Sequence, residues 1–419
     1  MKKLIPWLLL GLILRLIIIP TTLHPDIRGY NLGADLISKG HVLDFYDYLS
    51  QQDTNDPLVK LYGKDLFIYP PIAYLYPSVF MKLLSGLYPH DLFNTLIYDM
   101  WKTIGNPQLP LLLYLLKLPY LLPDLLIVYF LGKLFENKNQ KLLAQIFWLL
   151  NPVVIYGTYM ISQFDVLLAL SIVLCLVLAK SKKFLLAAVV LALGATVKQF
   201  VFVLLPILAF YTPGSFWKRL SVFLVGAATY IAVLLPYLPS AGFRHYALLA
   251  SQSDKIFFAK IPISGGAFLP LFLVGLFIIY WCCLYFTKKY TLWQWFILPL
   301  LLFYSFVHFH PQWFVWITPL LVILLVRLGR KSYLPVAVLI ACFVGIVLLF
   351  EPSLNTGLFS PVNAPWGRDF SLVPILSKIF PEITLRSIFF GLFASTAAFI
   401  SILTLKSTRH NKFKETANS

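Results

Sequence analysis

The sequence predicts an all-α polytopic membrane protein, a bundle of about 12 transmembrane helices with a long first external loop containing short helices. Three observations carry that expectation. Hydrophobic residues make up 59% of the 419 and charged residues only 12%, where soluble globular chains run at about 45–50% and about 25%. Apolar stretches able to cross or enter a bilayer recur along the whole chain. Lysines and arginines gather in short runs between those stretches, which is how topology signals are arranged. The formal net charge of +17 is therefore read as positive-inside charge. No RNP-like run or zinc-finger spacing accompanies it, so no nucleic-acid partner is expected.

The apolar segments fall near 4–20, 110–132, 142–159, 163–179, 184–197, 199–211, 218–238, 266–286, 292–308, 312–327, 333–350 and 386–406. The Met-Lys-Lys start resembles a signal peptide, but Ile17-Ile18-Ile19-Pro20 stands where a small-residue cleavage site would be, so 4–20 reads as a retained first helix. Segments 184–197 and 199–211 are too short to span; they flank Lys198, which is placed below one membrane surface at the apex of a broken helix pair. Segment 72–88 is apolar but carries Pro77 and Lys82. If the twelve segments alternate, the runs Lys133–Lys141, Lys180–Lys183, Lys218–Arg219, Lys288–Lys289, Arg327–Lys331 and Lys406–Lys414 all fall inside. Counting 72–88 as a further crossing would put every later run outside, so it is read as lying along the outer face or dipping in and returning.

That topology makes 1–406 a single integral membrane domain. Its first external region is 21–109, with further external loops at 239–265 and 351–385 and a basic, disordered tail at 407–419. Connections in compact folds have a median near 4–6 residues, so an external loop of this length after the first helix points to chemistry on the outer side. Cys175, Cys282, Cys283 and Cys342 all sit in apolar runs without metal-ligand spacing and read as small core residues. No internal repeat is apparent.

Several polar residues stand at the outer ends of apolar segments. Asp26 follows the first helix within Thr21-Thr22-Leu23-His24-Pro25-Asp26-Ile27-Arg28. A carboxylate there is suited to take a proton from an incoming hydroxyl; the alternative is a loop aspartate capping a helix. Asp65-Leu66-Phe67 precedes Tyr69-Pro70-Pro71. Asp124 lies mid-segment, where an ionisable group marks function or a buried polar partner. Trp148-Leu149-Leu150-Asn151-Pro152 is followed by Gln163-Phe164-Asp165 at an external end. Val197-Lys198-Gln199 and His308-Phe309-His310-Pro311-Gln312-Trp313 complete the set. Arg15, in the outer half of the first segment, reads as a snorkelling side chain. Asp26, Asp165, Lys198 and His310 all fall on the same side.

In this order the motifs resemble the GT-C superfamily of membrane glycosyltransferases over roughly residues 1–330. The order is an aspartate after the first helix, a Tyr-Pro-Pro turn, an Asp-Leu-Leu helix, an Asn-Pro helix ending in Gln-x-Asp, and a lysine at a helix break. Trp148 to Pro152 matches the WLLNP of the GPI mannosyltransferase type. Asp65 to Tyr74 and Lys198-Gln199 look more like the glucosyltransferases of the N-glycan precursor. His310 to Pro319 resembles the HPQYFLWLLP of bacterial polyprenyl-phosphate-mannose-dependent mannosyltransferases. Many relatives carry a paired acidic motif after the first helix; here His24 fills the other position and Asp26 stands alone, which leaves a divalent metal unsupported and no cofactor implied.

The resemblance implies an inverting transfer of a hexose, mannose favoured over glucose, from a polyprenyl- or dolichyl-phosphate sugar to a glycan or lipid-linked acceptor. It implies Asp26 as general base and Lys198 and His310 on the donor phosphate, with Arg244 and His245 in reserve. His24, Asp124, Gln163, Asp165 and Tyr69 are expected in supporting roles, Asp165 alternatively on sugar hydroxyls. The rival from another class is a transporter or flippase of a lipid-linked saccharide; repeats in both halves of the chain would favour it. No Asn-x-Ser/Thr sequon occurs, which favours a bacterial plasma membrane with the active site outside over the ER membrane.

Overall fold

A computed structural model of the chain describes residues 2–64, 66–307, 310–368, 371–378 and 380–416. Asp65 and His308, which belong to two of the quoted motifs, and residues 417–419 of the tail lie outside the described residues.

Among the described residues, seven helices are long and apolar enough to cross a membrane: Lys2–Thr21, Leu109–Lys133, Lys138–Met160, Phe216–Tyr237, Leu271–Lys289, Arg330–Leu348 and Glu382–Ser407. The first is buried only along Gly11, Arg15 and Ile19, a stripe at spacing four that is one face of a helix. Ile5, Leu9, Ile13 and Ile17 on its other faces are exposed, as a lipid-facing surface requires. The remaining apolar segments are helical but shorter. Asp165–Lys180 has 16 residues, Phe184–Ala195 12, Leu292–Phe306 15 and Thr318–Leu328 11, which rise about 17–24 Å against a hydrocarbon core of roughly 30 Å. Gln199–Leu204 is a 3-10 stretch leading into the α-helix Leu205–Tyr211.

What shortens these helices is local. Ser162 adopts a positive φ of 67° and separates the π-helical turn Ile155–Met160 from Asp165–Lys180. Lys198 is extended (φ −145°, ψ 128°) between Phe184–Ala195 and Gln199–Leu204. His310 is extended too (φ −84°, ψ 143°), and Pro311 begins the 3-10 turn Pro311–Trp316. The π-helical turn packs closely on that 3-10 turn: a Cβ on Gly157 would lie 2.6 Å from Val315 Cγ2, so a larger residue would force Val315 to move.

Arg15 does not snorkel. It is fully buried and its guanidinium donates to Asp124 Oδ2 at 2.5 Å, Leu149 O at 2.7 Å and Gly11 O at 2.9 Å. It lies on the one buried stripe of its helix, so the side chain faces neighbouring helices instead of lipid.

Between the first two long helices, Asp26–Ser38 crosses Ile72–Leu83, with Gly33 at the contact: a Cβ there would be 2.7 Å from Tyr74 Cδ1. Ile72–Leu83 has 12 residues, about 18 Å, too short to cross. One antiparallel hairpin, Lys260–Pro262 with Phe268–Pro270, interrupts the otherwise helical chain and turns through Gly265 and Gly266 at φ 59° and 82°. The last helix runs Glu382–Thr416, carrying helical backbone into the tail expected to be disordered from 407.

Candidate active site

The loop carrying Asp26 is fixed from below. Lys117, fully buried at the end of Leu109–Lys117, donates to Ile19 O at 2.9 Å, Thr22 O at 2.5 Å and Thr22 Oγ1 at 3.1 Å. The two carbonyls lie at the C-terminus of the first helix, where they lack intrahelical donors and favour a cation. Leu23 N–H bonds Leu358 O at 2.8 Å, tying the loop to the segment 351–385. His24 is buried, and its Nδ1 accepts the Asp26 N–H at 3.2 Å. A ring nitrogen that accepts carries no proton, so His24 is the neutral Nε2–H tautomer. Burial agrees, holding its pKa below the ordinary value against the pull of Asp26 and Glu351.

Asp26 opens helix Asp26–Ser38 but caps nothing, because the N-cap position is Pro25 and no side-chain cap bond is made. Its carboxylate accepts from Gln163 Nε2 at 2.8 Å and keeps its side chain 44% exposed. It is thus oriented by one neutral donor and open to an incoming group. Gln163 is itself buried behind the Ser162 break, where the Tyr30 hydroxyl donates to Ser162 O.

One residue further on, the Phe164 ring begins an aromatic box. Lys198 Nζ lies 4.9 Å from the Phe164 ring centroid, 5.1 Å from Tyr69, 5.6 Å from Trp316 and 5.7 Å from Trp313. Inside it, the Lys198 ammonium donates to both oxygens of Asp165 at 2.8 and 2.9 Å, and Trp316 Nε1 donates to Asp165 Oδ1 at 2.5 Å. The Tyr69 turn is held by Tyr46 Oη on Tyr69 O at 2.6 Å and by Ile72 N–H on Thr196 O at 3.2 Å. Burial raises the Tyr69 pKa well above the ordinary value, and the charges of Asp26 and Asp165 add to it; both carboxylates therefore act on one phenol.

On the far side of Trp313, Lys255 Nζ meets His310 Nε2 at 2.6 Å and lies 5.3 Å over the Trp313 ring. Half burial, with the Lys198 charge behind it, lowers the Lys255 pKa. Gln163 Oε1, Gln312 Oε1 and Trp313 Nε1 are buried without hydrogen-bond partners. Such atoms are rare in native interiors, and these three belong to segments that frame the site, Gln163 as the partner of Asp26 and Gln312 and Trp313 in the turn after His310.

Asp26, Gln163, Asp165, Lys198, Tyr69 and His310 are therefore brought together, with His24 beneath them. Arg244 and His245 are not. Both are exposed, and Arg244 donates to Leu238 O and Pro239 O at 2.6 and 2.7 Å, so it is spent on its own loop. Asp124 lies apart in the bundle, where it accepts from Arg15, Trp148 Nε1 at 2.7 Å and Tyr159 Oη at 2.6 Å; it braces helices. Two residues escaped the sequence reading. Lys117 carried a signal, since a lysine inside an apolar segment marks a buried partner or a function. Lys255 carried none, since nothing in the loop 239–265 sets it apart from Arg244.

Among the described residues, no group of three or more His, Cys, Asp or Glu gathers as a metal-ligand set. Compared with known proteins, the chain matches no family model, no curated protein and no solved structure.

Proposed function

We propose that the protein is a membrane glycosyltransferase of the GT-C type, with all twelve apolar segments as membrane elements. It moves a hexose, mannose favoured over glucose, from a polyprenyl- or dolichyl-phosphate sugar to a glycan or lipid-linked acceptor. The site faces outward in a bacterial plasma membrane. The observation that carries the reading is the pairing, at the broken ends of apolar helices, of one open carboxylate with a cationic cluster. A donor with a lipid tail and a phosphate needs both surroundings.

Asp26 takes the proton of the acceptor hydroxyl as that oxygen attacks the anomeric carbon. The anomeric carbon–oxygen bond to the phosphate breaks on the opposite face, and its electron pair leaves on the lipid phosphate, giving inversion. Negative charge grows on that phosphate, so cationic donors placed there lower the barrier. Lys198 is paired with Asp165, and the second cation of the cluster, Lys255, hydrogen-bonded to His310, is assigned to the donor phosphate. Lys198 and Asp165 then hold the Trp313 and Trp316 wall, and the unpartnered atoms of Gln163, Gln312 and Trp313 suit sugar hydroxyls.

One observation favours the carrier reading as well. The break at His310 in the second half of the chain answers the break at Lys198 in the first, as transporter repeats do. The donor-side assignment is tested by measuring the affinity of purified protein for prenyl phosphate without acceptor. Lys255→Ala should weaken it about tenfold, the value of one charge-assisted hydrogen bond, and His310→Ala less. Asp26→Asn should stay within twofold of wild type. Wild-type affinity in Lys255→Ala overturns the assignment.

A further inference from the structure

The end of the bundle away from Asp26 holds a cavity of about 800 Å³. Three elements that leave the outer site end on it. Asp165–Lys180 starts at the buried pair and delivers Lys180 to the cavity, about 24 Å away along the helix. Thr318–Leu328, which follows Trp316, delivers Arg327, and Leu205–Tyr211, which follows Lys198, delivers Tyr211. Lys331 and Lys406 complete the rim. The positive-inside rule makes this end cytoplasmic.

Four cations from three separate stretches of chain thus converge on one opening, and all four are exposed. Lys180 pairs with Glu136 and donates to Lys133 O at 3.1 Å. Arg327 donates to Leu134 O at 3.1 Å and sits 5.0 Å over the Phe135 ring. These contacts pin both side chains at the rim. No described carboxylate forms an ion pair with Arg327, Lys331 or Lys406. The wall between them carries apolar residues, Leu176, Ile323 and Leu403 among them, beside the polar Tyr211, Gln294 and Ser407. Topology alone puts basic residues at cytoplasmic helix ends; it does not gather four of them around one cavity that also presents apolar side chains.

We propose that this cavity binds the anionic headgroup of an inner-leaflet phospholipid. The phosphate sits among Lys180, Arg327, Lys331 and Lys406, and an acyl chain lies along Ile323 and Leu403. The apolar side chains in the wall suit an acyl chain beside the headgroup, and the Arg327 fork suits phosphate oxygens. Basic pockets between helices at the cytoplasmic side bind lipid headgroups by this chemistry. The inference does not rest on the transfer reaction.

The test is lipid titration of the purified full chain in a neutral detergent, followed by native mass spectrometry. Phosphatidylglycerol should bind, while phosphatidylcholine and inorganic phosphate should not. Lys331→Gln with Lys406→Gln should weaken phosphatidylglycerol binding about 30-fold, from about fivefold per cation. Lys288→Gln with Lys289→Gln, which removes equal charge from the same end outside the cavity, should change it less than twofold. Equal binding of phosphatidylcholine, or equal loss in the control pair, overturns the proposal. Phosphate binding as tightly as the lipid also overturns it, since that makes a free-anion site.

Discussion

Replacing Asp165 by Asn tests whether the Lys198 pair is the structural hub of the site. Asp165 is fully buried and Lys198 is 6% exposed. The substitution keeps the shape and an acceptor for Trp316 but removes the charge that both short Lys198 bonds serve. Removing one partner of a buried ion pair costs about 3–5 kcal/mol. The aromatic faces around Lys198 Nζ favour a cation by about 0.5–2 kcal/mol, which places the cost near the lower end, about 3 kcal/mol. Lys198→Met alone strands the carboxylate and should cost a similar amount. In the double variant neither charge remains, and the cost should fall to about 1 kcal/mol, a coupling well beyond the 0.3–0.5 kcal/mol scatter of independent sites. Reversible unfolding of purified protein in mixed micelles reads all three values without any assumption about substrate. Additive losses in the double variant, or a single Asp165→Asn within 0.5 kcal/mol of wild type, would refute the reasoning.

Two further outcomes follow from the same geometry. His24 is held neutral by burial, so its folded pKa lies below the ordinary value; the unfolded chain then binds more protons below about pH 6.5, and stability should fall as pH drops through that value. His24→Asn, whose amide oxygen replaces Nδ1 as acceptor, should flatten the slope of the thermal midpoint between about pH 5 and 7; an unchanged slope contradicts the neutral-histidine assignment. Single cysteines at Gln51 and Gln108 should both react with an impermeant thiol reagent added outside, and one at Asn139 should not. Labelling of Gln51 and Gln108 from opposite sides would mean that the region containing Ile72–Leu83 crosses the membrane.

Local signals were legible in the sequence and pairings were not. Hydropathy marks the apolar segments, and Gln163, Lys198 and His310 stand out because each interrupts one. Hydropathy does not measure where a helix stops: the positive φ of Ser162 and the extended backbone at Lys198 and His310 leave several segments shorter than a bilayer. Arg15 looked free to snorkel because its partner, Asp124, is 109 positions away, and periodicity fixes the face a residue lies on but not what stands opposite. Asp26 and Gln163, 137 positions apart, were both visible as polar helix-end residues, yet their bond was not. In the loop 239–265, Arg244 and Lys255 look equivalent by composition. Only the fold lays Lys255 on Trp313 and turns Arg244 back on its own loop.

The most direct test of the account follows the fate of labelled sugar. Prenyl-phosphate mannose and glucose carrying label in the hexose are presented to the outer face of membranes containing wild type or Asp26→Asn. The account predicts that wild type moves the label from one donor onto a new acceptor. In Asp26→Asn, transfer should fall by 10²–10⁴-fold, the range for loss of a positioned base, while donor affinity is kept. Label that crosses the bilayer still attached to its prenyl phosphate, at the same rate with and without Asp26, would contradict it and establish a carrier.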